Sequence, residues 1–173
     1  VPMVKIADNE KMENAKLFLG YSTLADNDQQ TNRVTVTGLE ENTKYYYSYS
    51  LGKDNWSEPT FYITHATDSF KALLVGDIQC SAVDDGTGYK DATSWNTTLN
   101  TALKKYPDTS FIISCGDQTQ TGASATEWAA TLSPKAMRNL PMATTIGNHD
   151  HKGSTYQHYV NNPNSQLIST SKT

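Results

Sequence analysis

Three short apolar runs in the second half of this chain end in the same way, and that repetition constrains the fold more than any other feature. Residues 71–76 (KALLVG) run into Gly76-Asp77-Ile78-Gln79, residues 110–115 (SFIISC) into Gly116-Asp117-Gln118, and residues 142–146 (MATTI) into Gly147-Asn148-His149-Asp150. Runs this short and this apolar read as strands buried on both faces. Between the first two, residues 91–105 carry Trp95, Leu99, Ala102 and Leu103 at i, i+4, i+7 and i+8, the stripe of an amphipathic helix, and Pro107 follows its end. Between the second and third, Ser124 and Glu127 form a capping-box pair. It opens a helix expected to reach about Arg138, carrying Trp128, Leu132 and Met137, with Pro134 bending or interrupting it. Strand, helix, strand, helix, strand is the order of a right-handed parallel α/β unit.

Before residue 66 the period is different. Residues 33–39 (RVTVTGL) alternate Val34 and Val36 with Arg33, Thr35 and Thr37, which predicts a half-buried strand. Residues 43–51 predict another, with Tyr45, Tyr47, Tyr49 and Leu51 on one face and Tyr46, Ser48 and Ser50 on the other. Residues 38–42 supply a polar turn between them, and a further strand over 60–64 follows Trp56 and Pro59. The tyrosine face is expected to pack rather than to bind. Two domains follow, 1–66 and 70–173.

The stretch VTVTGLEENTKYYYSYS resembles a fibronectin type III or related immunoglobulin-like sandwich, and its tyrosine resembles the tyrosine corner of such folds. Such a sandwich has about seven strands. Four or five are legible before residue 66, so the chain is expected to begin inside that domain. The expected fold class is therefore a β-sandwich of the fibronectin III or Ig-like type, followed by an α/β βαβαβ unit.

In open parallel sheets, ligand sites collect beyond the carboxyl ends of the strands. Three Gly-led polar motifs at three successive strand ends therefore point to one crevice. Asp77 and Asp117 are 40 residues apart, and Asp117 and Asn148 are 31 apart, each about one strand–helix–strand unit. Carboxylates and amide oxygens suit Fe, Zn, Mn or Mg, and an aspartate can bridge two ions. Two ions about 3.5–4 Å apart activate a water and clamp phosphoryl oxygens. Asp77, Asp117, Asn148 and Gln79 are thus the candidate metal ligands. His149 is the candidate that stabilises or protonates a departing group, with Asp150 expected to orient its ring.

The series GD…GD…GNHD resembles the calcineurin-like metallophosphoesterase superfamily, and with the preceding sandwich it is similar to the purple-acid-phosphatase branch. The resemblance runs from roughly Val4 to Pro163. It implies that Asp77 binds a first metal, Asp117 bridges, Asn148 binds a second, and His149 sits near the substrate phosphate. Three positions depart from the pattern. Gln120 stands where purple acid phosphatases have an iron-ligating tyrosine. Gln79 stands where the wider superfamily often has histidine, and Gln118-Thr119 where the protein-phosphatase branch has Asp-Arg. The family completes its metal pair with histidines far downstream, whereas only His151 and His158 follow His149 here. His151 reads as a surface or supporting residue and His158 as part of a lid or packing segment. The chain is therefore expected to be the first part of a catalytic domain, inactive by itself.

Composition narrows the partner. The net charge is −4 and no basic stripe is present, which argues against a nucleic-acid polymer and for a phosphorylated small molecule. No apolar run approaches the roughly 18 residues of a membrane span. Cys80 and Cys115 lack the paired spacing of thiolate zinc sites and read as small apolar residues at strand ends. The expected function is hydrolysis of phosphate esters, acid-phosphatase-like, by a dinuclear centre of Fe, Zn or Mn. The alternatives are a phosphodiesterase or nucleotidase of the same superfamily, or a catalytically dead adhesive or carbohydrate-binding module. An extracellular or cell-surface location is implied by the resemblance alone.

Overall fold

The computed structural model describes residues 1–25, 29–52, 55–83, 88–151 and 155–162. Residues 163–173 of the expected second domain, and Pro163 where the resemblance ends, lie outside the described residues. Contacts divide the chain into a unit of Val1–Lys71 with Arg138–Leu140, and a unit of Ala72–Met137 with the chain from Pro141 onward.

The first unit is antiparallel. Strands β1 (Met3–Ala7), β2 (Lys16–Leu19), β5 (Lys44–Ser50) and β6 (Thr60–Ile63) form one sheet in the order β2-β1-β5-β6, while β3 (Tyr21–Leu24) pairs with β4 (Gln30–Arg33). The strand expected over 33–39 is not there. β4 ends at Arg33, and residues 34–40 join no ladder among the described residues. Val34 and Val36 are nevertheless half-buried and Thr35 and Thr37 exposed. Period two reports which side chains face inward; a strand also needs a partner edge for its backbone groups.

Register places Tyr45, Tyr47 and Tyr49 on the face they share with Val4, Ile6, Phe18 and Tyr62. Packing is uneven along it: Tyr45 and Tyr47 are half-buried, while Tyr49 is 53% exposed. Leu51 lies beyond the strand and is also exposed. The opposite face carries the buried serines. Ser48 Oγ donates to Ser57 O at 2.6 Å, Tyr49 N donates to Ser57 Oγ at 3.1 Å, and Ser57 N donates to Tyr49 O at 2.9 Å. The segment after β5 thus folds back over it, and small hydroxyl side chains let that backbone approach while satisfying its polar groups.

The second unit is parallel. β7 (Ala72–Val75), β8 (Phe111–Ser114) and β9 (Met142–Thr144) lie in the order β7-β8-β9. Helix α1 (Tyr89–Lys105) buries Ala92, Trp95 and Leu99, the face expected from its spacing. Helix α2 is shorter than expected. It spans Ala125–Thr131, and the chain breaks at Ser133-Pro134 before a 3₁₀ turn, Lys135–Arg138. Proline cannot supply the helical N–H and crowds the preceding turn, so it stops the helix rather than bending it. The cap forms half of the expected box. Ser124 Oγ accepts from Glu127 N at 3.3 Å, but Glu127 Oε2 accepts from Thr121 N at 2.6 Å.

Trp128 organises the packing of this unit. It is fully buried, donates Nε1–H to Gly122 O at 2.9 Å, and stacks on Tyr159 with centroids 5.3 Å apart. Tyr156 meets it edge-on. Both tyrosines belong to α3 (Tyr156–Tyr159), so the segment holding His158 is a packing element. One strand departs from the expectation of burial on both faces. In β7 Leu74 is 71% exposed, on the face it shares with Ile113 and Ala143. No disulfide links the cysteines; Cys80 is fully buried and Cys115 exposed. No helix among the described residues is long and apolar enough to cross a membrane.

Candidate functional site

Beyond the carboxyl ends of β7, β8 and β9 the three motifs are bonded to one another. Gln79 N donates to Asp117 O at 2.8 Å, Cys80 N to Gln118 O at 3.3 Å, and Gln120 N to Cys80 O at 3.0 Å. The first and second motifs therefore continue the parallel pairing past their strands, with Cys80 bridged to Thr119. The second and third are joined through the aspartate: His149 N donates to Asp117 Oδ1 at 2.9 Å. Gly122 N donates to His149 O at 3.0 Å.

These loops hold unusual backbone. Asp77, Gln79 and Asp117 have φ of 49°, 42° and 49°, in the left-handed region that non-glycine residues seldom adopt. Such conformations persist only where the surroundings over-determine them, and they gather at functional sites. Gly147 shows how tight the surroundings are. A Cβ at that position would lie 2.0 Å from Asp117 Oδ1 and 2.3 Å from Asp117 N, so only glycine lets the third loop lie against the second aspartate.

The site residues read from the sequence fall into three groups. Asp77 and Asn148 are exposed and Asp117 half-buried, at the ends of three adjacent strands. Gln79 is half-buried and donates Nε2–H to Gln120 Oε1 at 2.7 Å. His149 is half-buried, its Nδ1 lying 2.9 Å from Gln120 O. A carbonyl only accepts, so Nδ1 carries the proton and Nε2 is the nitrogen left for a ligand.

Asp150 does something other than expected. It is fully buried, and its carboxylate accepts from Gln118 N at 2.9 Å, Thr119 N at 3.2 Å and Gly147 N at 2.9 Å. It joins the second loop to the third, while the carbonyl of Gln120 orients His149. The reason is geometric: three backbone donors converge on Asp150 and satisfy its carboxylate where it is buried. His151 is exposed, with Nδ1 hydrogen-bonded to Asn148 O within its own turn.

Sequence reasoning missed several residues that shape the loops. Asp91, in the first turn of α1, accepts from Ser81 N at 2.9 Å and Val83 N at 3.3 Å, tying the stretch after the first motif to its helix. Gln118 is fully buried and donates to Ser114 Oγ at 2.8 Å, and Thr131 Oγ1 donates to Gln118 O at 2.8 Å. An acidic residue in a first helical turn is a legible signal for the former. A glutamine after Gly-Asp carries no signal of burial.

Among the described residues, no group of three or more His, Cys, Asp or Glu side chains forms a metal-holding cluster. The donors gathered at this sheet edge are two carboxylates and two carboxamides, Asp77, Asp117, Asn148 and Gln79. That oxygen set fits a hard divalent cation, and it contains neither an imidazole nor a phenolate.

Parallel strands with helical crossovers, and three mutually bonded polar loops at their carboxyl ends, define an α/β unit. Residues 70–171 match the calcineurin-like phosphoesterase family, and the chain belongs to that family. No curated protein matches it. Among solved structures it is similar to purple acid phosphatase PPD1 from yellow lupin (Lupinus luteus) seeds, with 17% identity and a TM-score of 0.65. That match covers 86% of this chain and 30% of the lupin chain, and at this identity it establishes the fold.

Proposed function

We propose that the protein containing this chain hydrolyses phosphate monoesters at a two-metal centre to which this chain contributes Asp77, Asp117, Asn148 and Gln79. The observation that carries the reading is the bonding of three strand-end motifs into one edge, with Asp117 between the other two. Metal ions bound there, of the Fe, Zn or Mn class, would polarise phosphoryl oxygens and supply hydroxide as nucleophile. The chain's own residues do the rest. Asp117, whose Oδ1 accepts from His149 N, would be the ligand shared by the two ions. His149, held at Nδ1, offers Nε2 to the departing oxygen, and in its protonated form can give that oxygen a proton. Asp150 keeps the two loops in register without touching substrate.

The first unit is read as a fibronectin type III-like companion. Its support is Tyr45, whose phenol oxygen accepts from Glu40 N at 3.0 Å, a tyrosine bonded back to backbone a few residues upstream. Export to the cell surface or medium belongs to the same reading, and fractionation of the native protein tests it. The decisive experiment is Asp117→Asn in the full-length protein, with metal content measured by mass spectrometry and hydrolysis of nitrophenyl phosphate followed in parallel. Loss of both ions and of activity is expected. Two ions per chain in the variant would remove Asp117 from the bridging role.

A further inference from the structure

Gln120 makes contact with both neighbouring motifs through three different atoms. Its side-chain Oε1 accepts from Gln79 Nε2 at 2.7 Å, its backbone N donates to Cys80 O at 3.0 Å, and its backbone O lies 2.9 Å from His149 Nδ1. The side-chain bond has a chemical consequence. A carboxamide has one oxygen and one NH₂, and committing the NH₂ to Gln120 fixes which end of Gln79 is left to act as ligand.

We infer that Gln120 is a positioning residue for metal binding: its side-chain carbonyl orients the Gln79 amide so that Gln79 presents oxygen, not nitrogen, to a hard cation. The inference rests on the metal reading above and deepens it. Outer partners of this kind orient a ligand and are worth roughly 10–100-fold in metal affinity when removed. Two features make the role specific to the side chain. The hold on His149 runs through the Gln120 backbone and survives substitution. A glutamate at 120 would still accept from Gln79, whereas leucine, of similar size, cannot.

The test is calorimetric titration of the full-length protein with Mn²⁺, with thermal melts to show that each variant is folded. Gln120→Leu should weaken Mn²⁺ binding about tenfold, and Gln120→Glu should stay within about threefold of the unsubstituted protein. If Gln120 acts through Gln79, the double variant Gln79→Ala/Gln120→Leu should bind no more weakly than Gln79→Ala alone. Hydrolysis by Gln120→Leu should recover at saturating Mn²⁺, because His149 remains held. If Gln120→Leu does not fold, Gln120→Met, of similar length and also without an amide oxygen, takes its place in the same titrations and should weaken Mn²⁺ binding about tenfold. Gln120→Leu binding Mn²⁺ as tightly as the unsubstituted protein, or losses that multiply in the double variant, would overturn the inference. No Mn²⁺ binding by the unsubstituted protein would instead overturn the metal reading beneath it, and the two failures are told apart by that first titration.

Discussion

In the antiparallel sheet the buried polar side chains sit within a strand; in the parallel sheet the most consequential ones sit beyond the strand ends. Ser48 and Ser50 of β5 are buried where a returning segment closes over them, and Ser48 bonds to that segment. Gln118, Thr119 and Asp150 are buried in loops and bond loop to loop. The first arrangement uses polar groups to let backbone pack on backbone. The second uses them to hold loops in which neighbouring Asp77, Gln79 and Asp117 are in the left-handed region. A strand tolerates loss of one hydroxyl; a loop whose shape depends on one carboxylate does not.

That contrast predicts an order of effects. Asp150→Ala should be the most damaging, since it strands the N–H groups of Gln118, Thr119 and Gly147 in a buried site. At about 1–3 kcal/mol for each unsatisfied group the three give roughly 3–9 kcal/mol, and a loss in the lower half of that range is expected in urea unfolding because the Gly147 N–H is only part-buried. A loss below about 1 kcal/mol would mean that the loops hold their shape without it.

Gly147→Ala comes next. Its new methyl meets Asp117 Oδ1 and backbone, so either the third loop or Asp117 must shift. Destabilisation of about 1–3 kcal/mol is expected, together with loss of metal from the full-length protein. An alanine variant with normal metal content would show that the two loops are less tightly coupled than their contacts imply. Spectroscopy sharpens the same region: with Gln120 in place of tyrosine, the iron-loaded protein should show no visible phenolate charge-transfer band. A purple sample would place a tyrosine ligand elsewhere.

Changes in the first unit should be smaller. Tyr47 donates its hydroxyl to Arg138 O at 2.7 Å, so Tyr47→Phe should cost about 1 kcal/mol. Burial raises the Tyr47 phenol above its ordinary value of 10.0, partly offset by the Arg138 charge. Because the folded state holds that proton more tightly, the contribution is complete below pH 10 and disappears as pH climbs through the raised value. Tyr47→Phe should remove that part of the alkaline loss; an unchanged profile would assign it to other groups. Smallest of all, Tyr49→Ala at a site 53% exposed should change stability by less than about 1 kcal/mol.

Sequence alone determined the parallel unit and the positions of its loops. Apolar runs of strand length, a helical stripe at Trp95 and Leu99, and glycine before each polar motif are local signals, set by backbone stereochemistry and by which side chains avoid water. The same local signals misjudged residues 33–39, where alternation was present but no partner edge among the described residues, and the length of α2, although the interruption at Pro134 was one of the two outcomes expected there. Only the tertiary structure decided what the polar residues of the loops do. Asp150 follows His149 directly and looks like its partner, yet its carboxylate is taken by donors 31 and 32 residues away and across its own turn, while Gln120 holds the histidine. Hydrogen-bond partners in a loop depend on which backbone groups burial leaves unsatisfied, and that is known only once the strands have been brought side by side.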